Sequence, residues 1–469
     1  MFGMCRNHRQ LSQLQNFRQL IYLTIISLIL LCWMYRSHRS FPFVTQYDPE
    51  ITEPQTPVQL KETQQCPSGQ MAPQSQKLSI VAVNRTKTLL VSAYQEHRTG
   101  NRKVRVIAVV LRKETVAYHC LLCCQDQLHI SDGVSSVYAH HFDFPYGTAD
   151  IMCPIPSGCE TVSHIAVTSA ANKSGEFVEV KNQKVKSDSF PYNFTVCLST
   201  MFDFTNVLQL VQSLEMLQLL GVNRVVVYKT SCSPETQRIL DYYTHKGLVE
   251  VIPWSLSKFI NVSRGWLPSH GPGDIHYLGQ IPALNDCLYR YMYQSKYVAL
   301  HDIDELILPQ SVNSWLKLLP QLEKKYGADQ CYMFENNVFP ITVTLPPPTS
   351  QTLPLQNHHW QNVSGVNILA HLYHEPIIPE THYSNFKIIV NPRAVYRATV
   401  HGLLKSVKGC AWVDRNIARM YHTRDPRQPK LTPNQLIYDG RLLSYSTHLI
   451  PAVNTVLREN GLLPEDSIQ

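Results

Sequence analysis

Tyr297-Val-Ala-Leu-His-Asp-Ile-Asp-Glu-Leu-Ile-Leu-Pro309 is the stretch from which the fold can be read. The apolar run Tyr297–Leu300 leads into Asp302 and Asp304. Apolar residues resume with Leu306, Ile307 and Leu308, and Pro309 closes the segment. On an extended backbone, residues two apart face the same way. Asp302 and Asp304 are therefore expected to aim at one point, with Ile303 packed behind them. Two carboxylates held that close repel, and a divalent cation relieves the repulsion. Hard oxygen ligands suit Mg²⁺ or Mn²⁺, above all where a substrate diphosphate completes the shell. A D-x-D triplet alone is a weak signal, because most are solvated turns or helix caps. Position gives this one weight, since open α/β sheets bind ligands beyond the carboxyl ends of their strands.

The residues upstream supply such a sheet. Phe194–Ser199 has the pattern of a strand. Thr205 or Asn206 can cap a helix in which Val207, Leu210, Val211, Leu214 and Leu217 recur at helical spacing, and Gly221 can end it. Arg224–Tyr228 is a buried-type strand. Ser233-Pro234-Glu235 opens a second helix that runs to about His245 and stops at Gly247, and Val249–Trp254 is the next strand. Strand–helix alternation at this spacing predicts a parallel sheet covered by helices. A helix over about Ala283 to Gln294 then precedes the strand that carries the acidic pair. Ahead of all this, about Leu78 to Ser189 has β character, with candidate strands at Leu78–Val83, Val104–Val110, Val137–Phe142 and His164–Thr168.

Composition narrows the function. In 469 residues, 44% are apolar, enough for a sizeable core, and the net charge of +7 comes with few Lys/Arg clusters, which argues against nucleic acid as the main partner. Leu20–Tyr35 carries no charge and is expected to be a membrane anchor; a cleaved signal peptide is the rival, but no small-x-small site precedes Arg36. From Arg36 to about Lys77, Pro, Gln, Thr and Ser predominate, the composition of a flexible stem. Beyond the anchor lie five N-x-S/T sequons, at Asn84, Asn172, Asn193, Asn261 and Asn362, and eleven cysteines, an odd number that leaves at least one unpaired in an oxidising lumen. Cys120-x-x-Cys123 has no matching second knuckle for zinc and reads better as disulfide-forming.

With these blocks in place, the chain resembles glycosyltransferase family 92. The blocks are Ser92-Ala-Tyr94 with Arg98, Val227–Glu235, Leu240–Tyr243 with Gly247 and Trp254, Gly279-Gln280 with Asp286-Cys287, Asp302–Glu305, and Lys387–Pro392 before His401. Glu96 stands where an Asp is commoner, and His422-Thr-Arg424 where the family often has His-Tyr-Arg. The resemblance implies a GT-A (Rossmann-like nucleotide-diphospho-sugar transferase) fold and metal-dependent, inverting transfer of galactose from UDP-galactose to a glycan. It also implies a single-pass type II Golgi topology. The expected organisation is an α/β chain with a cytosolic tail (1–19), transmembrane anchor (20–35) and disordered stem (36–77). A smaller β-rich lumenal domain (78–190), a GT-A domain (191–450) and a C-terminal tail (451–469) complete it.

Roles follow for individual residues. Asp302 and Asp304 are expected to hold Mn²⁺ or Mg²⁺ and the UDP-sugar, with His401 and His422 as candidates for a third protein ligand. Lys387 is a candidate to neutralise the diphosphate, although a strand lysine is as often structural. Gln280 and Asp286 are candidates to shape the donor pocket. An inverting transfer needs a carboxylate base, for which Glu335 and Glu375 are the candidates. Trp254, Trp266 and Trp360 are weighed as sugar-stacking residues against a default of core packing. Two other functions compete: a non-catalytic glycan-binding or scaffold protein that keeps the transferase fold, and a membrane-anchored hydrolase. The hydrolase would need paired carboxylates flanking a glycosidic bond, which no spacing here supplies.

Overall fold

The computed structural model describes residues 66–67, 80–169, 174–185, 189–347 and 360–464, which fall within one compact unit, Gln64–Gln469. The expected tail, the anchor, most of the stem, and Asn172 lie outside the described residues. Among the described residues no helix is long and apolar enough to cross a membrane.

The first half is a barrel. Strands β1 (Val81–Ala82), β2 (Leu89–Glu96), β3 (Lys103–Leu111), β4 (Tyr118–Cys124), β5 (Gln127–Val137), β6 (Tyr146–Pro154), β7 (Val162–Ser169) and β8 (Val178–Lys181) form one sheet in the order β1-β2-β3-β6-β5-β4-β7-β8. Strand β8 also pairs in parallel with β2, which closes the ring and leaves few edges unpaired. Ala93, Val106, Ala108, Leu122, Ile151 and Val167 fill the interior. Disulfides Cys66–Cys123, Cys120–Cys153 and Cys124–Cys159 staple the barrel, so Cys120 and Cys123 take separate partners. Closing loops of these lengths restricts the unfolded chain by about 4 kcal/mol apiece in the chain-entropy picture. The strand expected over Val137–Phe142 is not formed: β5 ends at Val137, and Phe142 and Asp143 take left-handed φ of 51° and 62°.

The second half alternates as the apolar spacing predicts: β9 (Tyr192–Met201), α1 (Val207–Leu219), β10 (Arg224–Lys229), α2 (Pro234–His245), β11 (Val249–Pro253), α3 (Gln280–Arg290) and β12 (Ser295–Leu300). Ser233 caps α2 by accepting from the Thr236 N–H, with Pro234 in the first turn where its missing donor is harmless. Next come β13 (Glu305–Pro309), α4 (Trp315–Tyr326), β14 (Cys331–Phe334), β15 (Asn336–Pro340), β16 (Tyr373–His374), β17 (Lys387–Val390) and β18 (Val395–Thr399). The chain continues through β19 (Gly402–Ser406), β20 (Cys410–Trp412), β21 (Ala418–Arg424), β22 (Ile437–Tyr438) and α5 (Ser446–Glu459). The main sheet runs β11-β10-β9-β12-β17-β14-β20. Its first four strands are parallel, as expected, but β17 lies antiparallel to both β12 and β14, so the sheet is mixed.

Side chains from α1, α2, α4 and α5 cover one face of this sheet; α3 and barrel residues such as Leu89, Tyr94 and Ile107 cover the other. The tail expected from 451 is instead helical as far as Glu459. Leu449, Ile450, Val453, Val456 and Leu457 recur at three- and four-residue spacing, which buries that stripe in the core. Trp360 joins it by donating to Asn454 at 2.7 Å. Disulfides Cys197–Cys287 and Cys331–Cys410 tie β9 to α3 and β14 to β20, leaving Cys232 as the free thiol among the described residues.

Buried charges lock the barrel to this half. Glu96 accepts from Arg98 at 2.7 Å and Arg105 at 3.3 Å, while Asp150 pairs with Arg105 and, at 2.7 Å, with Arg397 of β18. Asp286 of α3 accepts from Tyr94 of β2 at 2.6 Å, Arg290 at 2.9 Å, and Tyr228 of β10. A carboxylate with no solvent exposure survives only when its acceptor sites are filled in this way.

Candidate active site

A cavity of about 840 Å³ opens at the carboxyl ends of the parallel strands. Ser199 to Met201 at the end of β9 and Asp302 to Glu305 after β12 form one wall; His401 and His422 to Asp425 contribute another. Both aspartates thus reach the cavity, but not by the extended backbone that residue spacing suggests. Ile303 and Asp304 lie in a turn closed by the Glu305 N–H donating to the Asp302 carbonyl at 3.2 Å. The reason is the jump from β12 to β13, which belong to different sheets.

Strand register brings distant residues to this turn. In the small sheet β13-β21-β15, Glu305 faces His422 across an antiparallel pair. His422 Nε2 accordingly lies 3.2 Å from Asp304, and its Nδ1 3.5 Å from Glu305. In the main sheet Leu300 pairs with Ile388, which carries the neighbouring Lys387 to the acidic turn. Lys387 Nζ donates to Asp302 at 2.8 Å and lies 3.3 Å from Glu305.

The electrostatics split these acids. Burial alone would raise the Asp302 carboxyl, but Lys387 and the Ser199 hydroxyl hold it well below the usual carboxylate range. Glu305, 1% exposed, is pushed up to about 7 by burial and the Asp302 charge, against the pull of Lys387. His422 is raised despite its burial, because Glu305 and Asp304 favour the imidazolium. Burial lowers His401 to about 4, with Lys387 adding to the effect, so it is neutral at physiological pH.

Gln280 reaches the cavity through an unusual turn. Tyr277, Leu278 and Gly279 have φ of 33°, 57° and 71°, and the Trp254 indole holds the turn by donating to the Leu278 carbonyl at 2.8 Å. A Cβ on Gly279 would stand 2.5 Å from Leu256 Cδ2, so only glycine fits there. The Gln280 side chain, 1% exposed, donates to Asp302 at 3.3 Å and leaves its Oε1 without a partner. Trp266 lines the cavity with its ring 5.4 Å from that of His401.

Several expected site residues lie elsewhere. Asp286 is buried in the ionic lock described above, because its helix turns that residue toward β2 and β10 rather than toward the cavity. Lys387 is 2% exposed and lies beneath the acids, so its charge serves Asp302 and Glu305 directly. Glu335, 1% exposed, pairs with His382 at 3.1 Å and Arg415 at 3.3 Å, outside the cavity. Glu375 lines a separate small recess and accepts from the Gln428 N–H at 2.9 Å. Trp254 and Trp360 are core residues, each 2% exposed. Residue spacing missed Glu305, Asp425, Ser199, Arg424 and Arg427, all of which line the cavity. Glu305 directly follows the acidic pair, the signal that could have found it; nothing local marks the others. Arg424, Asp425 and Arg427 are exposed, and among the described residues none of the three makes an ion pair. The sequon residues Asn84, Asn193, Asn261 and Asn362 are all exposed.

The family model for glycosyltransferase family 92 matches residues 192–458. A beta-1,4-galactosyltransferase of Caenorhabditis elegans is 23% identical over 234 residues, 46% of this chain and 50% of that protein. A glycosyltransferase family 92 protein of the same organism is 27% identical over 128 residues, 27% of this chain and 25% of that one. The chain thus spans half or less of the length of these curated relatives. Glucosyl-3-phosphoglycerate synthase from Mycobacterium tuberculosis, solved with Mn²⁺, UDP and glucosyl-3-phosphoglycerate, aligns over 59% of this chain and 82% of that one. Its identity is 12% and its TM-score 0.22, a superposition that supports no inference about this chain. The family match covers more than half of the sequence and every cavity residue named above. The chain belongs to glycosyltransferase family 92.

Proposed function

We propose that the chain transfers galactose from UDP-galactose to a glycan hydroxyl with inversion, assisted by Mn²⁺ or Mg²⁺. The observation that carries this reading is the convergence of Asp302, Asp304 and His422 at the edge of a cavity large enough for a nucleotide sugar. The donor set fits a hard divalent cation in part. Asp304 and His422 stand side by side at the cavity wall, and Asp302 and Asp304 are 29% and 30% exposed. Among the described residues no three His, Cys, Asp or Glu form a ready cage, so a substrate diphosphate would supply the remaining ligands. Such an ion, when bound, would offset the charge developing on the departing UDP.

The protein's own groups do the rest. Arg424 and Arg427, which make no ion pair among the described residues, line the same cavity and would answer the diphosphate's charge. Asp425 is the cavity carboxylate engaged by neither Lys387 nor His422, and we assign it the role of base. It takes the acceptor hydroxyl's proton as that oxygen bonds to the anomeric carbon. The carbon–oxygen bond to UDP breaks, and its electron pair leaves with UDP. Galactose as the donor sugar is supported by the relative named a beta-1,4-galactosyltransferase. A Golgi setting, with the N-terminal apolar run as anchor, is supported by the five disulfides and the exposed sequons among the described residues.

The test is UDP release from UDP-galactose by the purified chain with Mn²⁺ and a glycan acceptor. Asp304→Ala should lower the rate about a hundredfold or more, as loss of a charge-stabilising group at a reacting centre does. Full activity in that variant removes the acidic pair from the reaction. A second reading has one observation in its favour: Lys387 already neutralises Asp302. Under it the nucleotide sugar binds without a cation, and a chelator leaves UDP affinity unchanged.

A further inference from the structure

The small recess at Glu375 adjoins the main cavity, since Asn336, Val338 and Arg427 line both. Arg427 lies two residues beyond Asp425, the base proposed above, which puts the recess beside the group that meets the acceptor hydroxyl. The segment from His382 to Asn385 runs between the two spaces: His382 and Ser384 line the recess, and Asn385 lines the cavity. Tyr383 belongs to this segment. It is two residues from Asn385, a separation of at most about 7 Å along the chain, so it stands at the cavity's rim.

Tyr383 is 68% exposed, the most open aromatic side chain among the described residues, yet it is held in place. Its ring meets those of His382 at 4.5 Å and Trp412 at 4.7 Å in edge-to-face contacts, and Trp412 also meets Phe386 at 5.9 Å. His382 is fixed in turn by the Glu335 carboxylate at 3.1 Å. A single exposed apolar side chain needs no explanation, but a ring oriented by an aromatic cluster and an ion pair, and still left open, is prepared for contact. Polar capacity is left open along the same path. Asn336 Oδ1 is buried without a hydrogen-bond partner, and the Asn385 side chain makes no hydrogen bond among the described residues. An open aromatic ring beside amides with capacity to spare suits a sugar, which carries C–H groups on its faces and hydroxyls on its edge.

We propose that the acceptor is an extended oligosaccharide, whose reacting end enters the cavity at Asp425 while an inner sugar rests on the Tyr383 ring at the rim. That occupant rests on the transfer reaction proposed above. The experiment is titration of the whole chain, with UDP and Mn²⁺ present, against a glycan released from secreted glycoproteins and against the mono- and disaccharides that compose it. The glycan should bind about tenfold tighter than either, the gain expected of one added aromatic contact. Tyr383→Ala should remove that advantage and Tyr383→Phe should keep it, both with unchanged melting temperature and UDP affinity. A glycan that binds no tighter than its component saccharides, or a Tyr383→Ala protein that keeps the full advantage, overturns the proposal. Loss of the advantage in Tyr383→Phe overturns the stacking on the ring. Because the readout is binding, it separates from turnover. Length-dependent binding without galactose transfer would refute the reaction and leave the rim site, whereas transfer without length dependence would refute the rim site alone.

Discussion

Two clusters of charge border the main sheet, one on its α3 face and one at its strand ends, and they resolve the same problem in opposite ways. Around α3, Glu96, Asp150 and Asp286 are 0–2% exposed and meet Arg98, Arg105, Arg290, Arg397 and tyrosine hydroxyls in a closed set. At the carboxyl ends of the strands, Asp302 and Asp304 are about a third exposed, and Gln280 Oε1, His301 Nε2 and His422 Nδ1 are left without hydrogen-bond partners. The first cluster uses charge to fix one packing arrangement. The second keeps polar capacity in reserve beside an open space, as a binding site must. Residue type alone does not separate them, since both consist of acids next to Arg, Lys or His.

Five substitutions sharpen this contrast. Asp425→Asn should lower the transfer rate constant about a hundredfold or more while KM and melting temperature hold, since only the base is removed. A change in KM alone would reassign Asp425 to binding. Glu96→Ala should instead act on stability. It leaves Arg98 without its carboxylate and Arg105 with Asp150 alone, and breaking a buried pair of this kind destabilises by about 3–5 kcal/mol. Urea unfolding should register the loss, with UDP affinity of the folded fraction unchanged.

Asp286→Asn should show a smaller effect that depends on pH. Burial would raise the Asp286 carboxyl, but Arg290, Lys181 and the Ser92 and Tyr228 hydroxyls hold it down at about 2. A folded value below the ordinary one contributes stability above about pH 4, and that contribution is lost as pH falls toward 2. The deficit of the Asn variant should therefore be about 2–3 kcal/mol at neutral pH and shrink through that window, as read from urea midpoints. A deficit independent of pH would assign the effect to packing. Smallest of all, Glu335→Gln and Glu375→Gln should leave transfer within about threefold of the unaltered chain, well under the loss a catalytic base brings. A hundredfold loss in either would return the base to that side of the molecule.

The same contrast explains what could be read from residue order. The α/β alternation from Phe194 to Leu300 was legible because each strand and helix buries its own apolar run. The place of the acidic pair followed, since Tyr297–Leu300 ends where the sheet ends. Much of the barrel was not legible. Tyr118–Cys124 reads as a cysteine cluster, and β5 alternates exposed polar residues with few apolar ones, so neither declares itself a strand. Asp286 and Glu335 were misplaced for a different reason. Each is an acid near a motif, and only partners more than thirty residues away, Tyr94 for one and His382 for the other, fix it away from the cavity. Glu305 was overlooked because a glutamate opening an apolar strand looks like a solvated end, whereas the β13–β21 pairing buries it.

Cys232 has a practical consequence. It follows β10, its backbone is bridged to Phe204 of the cavity wall, and its Sγ lies 3.6 Å from Gln237. Burial raises the thiol, so alkylation is slow at neutral pH and quickens in mild alkali. A fluorophore attached to this sulfur would be a resident reporter beside the cavity wall, and would turn occupancy of the cavity into an optical signal.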